Sequence, residues 1–112
     1  MKTKHFSHFH IAGFTYYEGA TVFNELKIGT ELRLVLEPEN KYDPNAVAIY
    51  YKDTHLGYVP RNNNSEISKI LEMGHEIFGA RIQQINQQAN PENQIGVMVY
   101  VKEKGGMNKK TV

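Results

Sequence analysis

The sequence predicts a mainly β fold, a small antiparallel barrel or curled sheet of about six strands with one capping α-helix and a short helical turn. Three observations carry this. Glu31–Glu37 (ELRLVLE) alternates strictly, with Leu32, Leu34 and Leu36 on one face and Glu31, Arg33, Val35 and Glu37 on the other, the period of a half-buried strand. Several other short runs rich in β-branched and aromatic residues are separated by clusters of turn formers. One stretch only, Asn62–Met73, has the period of an amphipathic helix, with Ile67, Ile70 and Leu71 at i, i+3 and i+4.

The elements follow in chain order. Residues 5–14 (HFSHFHIAGF) form a first strand that ends near Gly13. Ala20–Leu26 places Val22, Phe23 and Leu26 at the spacing of a short helical turn, and Lys27-Ile28-Gly29-Thr30 breaks it. Pro38–Asn45 (PENKYDPN) is a dense loop of turn-forming residues after the alternating strand. Ala46–Lys52 is the next strand; Asp53-Thr54 turns the chain into a short strand, His55–Val59, which Pro60 closes. In the helix, Asn63 with Glu66 resembles a capping box, and Gly74 stands at the C-cap. Strands over 76–86 and 94–103 complete the set, joined by the polar loop 87–93. No repeat of fixed period occurs.

Composition narrows the function. The chain has 112 residues, 40% of them hydrophobic, with 13 Lys+Arg, 12 Asp+Glu and no Cys. A chain of this length buries roughly two-thirds of its unfolded surface, so one domain can hold a core without staples. Without cysteine there is no disulfide framework, thiolate zinc site, iron–sulfur cluster or cysteine nucleophile. A net charge of +1 excludes a polybasic nucleic-acid coat. No stretch approaches the roughly 18 apolar residues of a membrane span, and the N-terminal residues lack the apolar core of a signal peptide. A cytoplasmic protein with no membrane partner is the expectation.

Catalytic patterns are sparse. The serines Ser7, Ser65 and Ser68 lie in no nucleophile elbow, and no glycine-rich phosphate loop occurs. Glu37, Glu39 and Asp43 cluster in a turn-rich loop, where carboxylates cap turns more often than they titrate as a catalytic pair. His8 and His10 share a strand face, with His5 across the pleat. Two imidazoles fall short of the three or four ligands of a zinc site, so neither metal nor cofactor is expected. A binding role has more to stand on. Tyr16 and Tyr17 lie between Gly13 and Gly19, where extended backbone would send one ring inward and the other outward. In Tyr58-Val59-Pro60-Arg61, an aromatic ring and a cation flank a rigid proline. An exposed ring with one or two cations can stack a nucleobase and hold its phosphate.

Three blocks together resemble the HIRAN domain family. They are Gly13-Phe14-Thr15-Tyr16-Tyr17-Glu18-Gly19, then the run Leu34–Val47 containing Glu37-Pro38-Glu39-Asn40-Lys41-Tyr42-Asp43-Pro44-Asn45-Ala46, then Leu56-Gly57-Tyr58-Val59-Pro60. The middle block is the most specific, and the likeness runs from about His8 to Lys102. The resemblance implies an OB-like barrel, set over residues 5–103; the Gly-, Lys- and Asn-rich end, 104–112, reads by composition as a flexible basic tail. The resemblance also implies a non-catalytic module that binds single-stranded DNA at a free 3′-hydroxyl end, as in the helicase-like ATPases that remodel stalled replication forks. A helicase or another DNA-processing protein is then an expected partner, since 112 residues leave no room for the motor.

Carried over position by position, the stacking rings fall on Tyr16 and Tyr17. The acceptor for the terminal hydroxyl falls on Asp43, and the phosphate contact on Arg61 beside Tyr58. Asn40, Lys41, Tyr42 and Asn45 shape the loop. Asp43 and Asn45 are also natural Asx-turn formers, and the two roles are compatible. The family's strong DNA binders carry a basic residue before the paired tyrosines, where this chain has Thr15. The runner-up is a protein-interaction module that recruits a DNA-processing partner; an apolar patch with no cation beside the tyrosines would favour it. Charge sharpens the first reading: residues 1–101 hold nine cations and eleven anions, and 102–112 hold four and one. A slightly acidic folded part fits a reader of chain ends better than a DNA coat.

Overall fold

The computed structural model describes residues 2–14 and 17–103. Thr15, Tyr16 and the tail 104–112 lie outside the described residues. Six strands, β1 (Thr3–His10), β2 (Glu31–Leu36), β3 (Val47–Tyr51), β4 (Thr54–Tyr58), β5 (Phe78–Ile85) and β6 (Ile95–Lys102), form one antiparallel sheet. Their order is β1-β6-β5-β2-β3-β4. The sheet curls until its two ends meet at one bridge: Ala12 N–H donates to Tyr58 O, and Tyr58 N–H to Ala12 O, both at 2.9 Å. Among the described residues no full ladder closes it.

The alternation in β2 is realised where it is paired with β5. Leu32 is buried between exposed Glu31 and Arg33. Beyond Leu32–Ala80 the two strands part, so Leu34, Val35 and Leu36 are all half-buried. Helix α2 (Arg61–Glu72) packs on β2 and β3. Val47, Ala48 and Ile49 are wholly buried, the mark of a strand covered on both faces. Ile11, Phe14, Leu56, Ile67, Ile82, Ile95, Val97 and Val99 complete a continuous core.

The helix begins one residue earlier than the periodicity predicts, and the capping box is a correction. Pro60 is the N-cap and no side chain caps it, so Asn63 and Glu66 lie inside the helix. The chain enters α2 through Pro60, whose fixed φ suits a helix entry and which has no N–H to satisfy. Gly74, at φ +87°, ends the helix as expected, with its N–H donating to Leu71 O. The helical turn resolves into α1 (Gly19–Val22) and a 3₁₀ turn, Phe23–Glu25.

The histidines also need correcting. A bulge in β1 leaves Phe6 without a partner on β6, because His5 faces Tyr100 and Ser7 faces Val99. The extra residue reverses the side-chain parity. His5 therefore meets His8, Nε2 to Nδ1 at 3.1 Å, instead of lying across the pleat from it. No group of three or more His, Asp or Glu among the described residues is placed to hold a metal ion. No helix among them is long and apolar enough to cross a membrane.

Candidate nucleic-acid interface

The bridge that joins the two sheet ends also builds the floor of a groove. Phe14, almost fully buried, packs edge-on against Phe23, ring centres 5.7 Å apart, and anchors the chain just before the tyrosine pair. Four residues on, Glu18 N–H donates to His55 O at 3.0 Å, which ties the same segment to β4. Tyr17 is held between these anchors and remains 40% exposed. The described residues around the pair form turns rather than extended chain, and Gly13 has φ +74°. A Cβ on Gly13 would lie 3.1 Å from Tyr17 Cε2, so glycine lets the ring sit against the backbone.

The opposite wall is the loop between β2 and β3. Asn40 Oδ1 accepts from the N–H groups of Tyr42 at 2.8 Å and Asp43 at 3.1 Å, winding the chain into a tight turn. Asn40 Nδ2 donates to Glu37 Oε1 at 3.1 Å, and the Tyr58 hydroxyl donates to that same oxygen at 2.7 Å. Glu37 thus ties the loop to β4 through one carboxylate. Burial and this bond push the Tyr58 hydroxyl well above the ordinary tyrosine range, so it remains a donor.

Asp43 is at the centre. Its Oδ1 accepts from Asn45 N–H and its Oδ2 from Asn64 Nδ2, each at 2.9 Å. Arg61 Nε lies 3.6 Å from Oδ2, and Arg61 Nη2 donates to Tyr42 O at 3.0 Å. The Asn45 bond holds the carboxyl below its ordinary value, the Asn64 bond and the Arg61 charge add to this, and partial burial opposes them. The Asp43 side chain is 17% exposed and that of Arg61 73%. A carboxylate offers about four lone-pair positions. Two hydrogen bonds leave Asp43 able to accept another from a ligand.

Tyr17, Tyr42, Asp43, Tyr58 and Arg61 therefore line one groove of about 380 Å³, with Ala12, Gly13, Asn40, Ala46 and Val59 completing it. Tyr42 is 82% exposed at the rim. Asn45 shapes the turn through its backbone, and Lys41 is exposed beside it. Of the residues singled out from the sequence, Thr15 and Tyr16 fall outside the described residues.

Sequence reasoning missed three participants. Asn64 is 2% exposed and continues the helix stripe through Ile67, Ser68 and Leu71, so a polar residue on an apolar stripe was the available signal. Glu37 reads from the sequence as a polar strand residue and a turn-capping carboxylate, with no sign of its bond to Tyr58. His55 gave no sequence signal, because Tyr17 and Tyr50 reach it from other parts of the chain.

A small, curled β module with a polar, aromatic-walled groove is thus the class that fold and site define. The chain belongs to the HIRAN domain family: the family's model matches residues 4–104. Two solved structures are similar to it. A Lactobacillus plantarum protein superposes with TM-score 0.77 at 20% identity, over 89% of this chain and 95% of that one. The HIRAN domain of human HLTF superposes with TM-score 0.62 at 18% identity, over 98% of this chain and 86% of that one. No curated protein sequence matches this chain significantly. Family membership supports a nucleic-acid-binding role in DNA processing.

Proposed function

We propose that the groove binds the 3′ end of single-stranded DNA without catalysis, as a module that brings a helicase or another DNA-processing protein to damaged or stalled DNA. The observation that carries this is the Asp43 carboxylate. It is ionised and oriented by Asn45 and Asn64, it keeps acceptor capacity, and it shares one groove with the Tyr17 ring and the Arg61 guanidinium. A carboxylate accepts a hydrogen bond from a 3′-hydroxyl and repels a 3′-phosphate, so the site would select chain ends. Tyr17 supplies a stacking face that tolerates any base. Arg61, largely exposed, is free to reach a phosphate on the side away from Asp43. That cation beside the tyrosine favours this reading over a protein-recruiting surface.

Fluorescence anisotropy with a short oligonucleotide tests the reading. A free 3′-hydroxyl should bind about tenfold or more tightly than a 3′-phosphate, the scale of a hydrogen bond to a charged group. Asp43→Asn, which keeps the shape and removes the charge, should narrow that difference. One to three phosphate contacts give a shallow salt slope, about −0.7 per contact on a single strand. Equal affinity for the two ends, or a steep slope, would sink the proposal.

A further inference from the structure

A row of rings crosses the outer face of the sheet and ends at the groove. Arg33, Tyr50 and His55 are cross-strand partners on β2, β3 and β4. The Arg33 guanidinium lies 5.1 Å from the Tyr50 ring centre, with Nη2 donating to Lys52 O at 2.9 Å. Tyr50 stacks on His55 with centres 5.0 Å apart and planes 15° apart. His55 in turn backs Tyr17 at 4.4 Å and meets Tyr58 edge-on at 5.0 Å. Its Nε2 is 3.0 Å from Gly57 O, a bond that requires the proton on Nε2 and fixes the ring. Both tyrosines that line the groove on this side therefore rest on one imidazole.

We infer that His55 is a positioning residue that sets the plane of Tyr17 for stacking on a nucleobase. This rests on the single-strand reading. Tyr17 sits in a turn on an exposed segment, and an unsupported ring there would lose rotamer freedom on binding, which weakens the complex. His55, braced by Tyr50 and by its own backbone bond, removes that cost before the ligand arrives. Nothing of the kind backs Tyr42, the other exposed tyrosine of the groove, for which no ring partner occurs among the described residues.

The test uses the whole chain, two oligonucleotides and two substitutions. One oligonucleotide ends in an intact 3′ nucleotide and the other in an abasic one, both with a free 3′-hydroxyl. His55→Ala should weaken binding of the intact strand about tenfold, within the range of one lost base stack, and leave the abasic strand unchanged. His55→Phe, which keeps the ring, should stay within about twofold of the parent protein on both strands. Without ligand, the Tyr17 ring resonances should shift and broaden in His55→Ala and stay close to the parent's in His55→Phe. Equal losses on both strands, an intact-strand affinity unchanged in His55→Ala, or Tyr17 resonances indifferent to both substitutions would overturn the inference. Should the unaltered protein bind neither oligonucleotide, the DNA reading fails, and the ligand-free resonances still decide whether His55 orders Tyr17.

Discussion

Three bulges of the same kind interrupt this sheet, one of them at Gln83 in β5; of the two that follow a histidine, only one helps to make a site. In β1 the extra residue is Phe6; in β4 it is Leu56, between His55 facing Tyr50 and Gly57 facing Ile49. Each brings a histidine against the residue three positions on: His5 against His8 with centres 5.2 Å apart, and His55 against Tyr58 at 5.0 Å. The surroundings differ. His5 and His8 stand exposed at the end of the strand order, with each other as ring partner. His55 and Tyr58 lie where β4 receives the chain crossing from β1, so Tyr17, Tyr50 and Glu37 gather round them. A bulge aims a side chain. What it is aimed at comes from the other strands.

Breaking the β4 bulge should have the largest effect. Gly57 has φ +151°, and a Cβ there would run into the Ala12 carbonyl oxygen and Ile11 Cγ2, across the bridge that joins the sheet ends. Gly57→Ala should destabilise the fold by about 3 kcal/mol, combining backbone strain with overpacking. Denaturant unfolding measures this, and a loss below about 1 kcal/mol would mean that the bridge yields easily.

A smaller effect, confined to the groove wall, is expected at Asp43. Its lowered pKa makes the ionised form a stabilising one above the unfolded value, which is the ordinary 3.8, and that contribution is lost as pH falls through the folded value. The stability difference between the parent and Asp43→Asn should therefore be constant from about pH 5 to 8 and shrink below about pH 4. A difference that persists at low pH would show that charge is not what ties Asp43 to Asn45 and Asn64.

Tyr58→Phe removes the hydroxyl bond to Glu37 and leaves the ring against His55. It should cost about 1.5 kcal/mol, the scale of a hydrogen bond to a charged group. Its counterpart at the other bulge, His8→Ala, should change stability by no more than about 0.5 kcal/mol and leave oligonucleotide affinity unaltered. A large effect of His8→Ala on binding would remove the distinction between the two bulges.

Much of this was legible in the residues. Strict alternation revealed β2, a 3.6-residue stripe revealed α2, and three motif blocks revealed the family and the loop that carries Asp43. Motif residues are legible because each acts on its own neighbours: Asn40 winds its own turn, and the Asp43 carboxylate accepts from the Asn45 N–H two residues on. The faces of His5 and His55 were not legible. Bulges arise from the pairing between strands, and one extra residue reverses every side chain beyond it. The start of α2 was misread for a related reason, since Asn63 and Glu66 have the spacing of a capping box while the chain enters the helix at Pro60.

What the sequence determined by itself was local: which segments are strands, which is the helix, where the chain turns, and which loop presents a carboxylate. Tertiary structure alone decided that Glu37 would hold the Tyr58 hydroxyl, that buried Asn64 would reach Asp43, and that His55 would lie between Tyr50 and Tyr17. The first two contacts span 21 residues each. A short-range pattern records what a residue does to its neighbours in the chain, whereas a groove closes only when the curled sheet brings its two ends together at Ala12 and Tyr58.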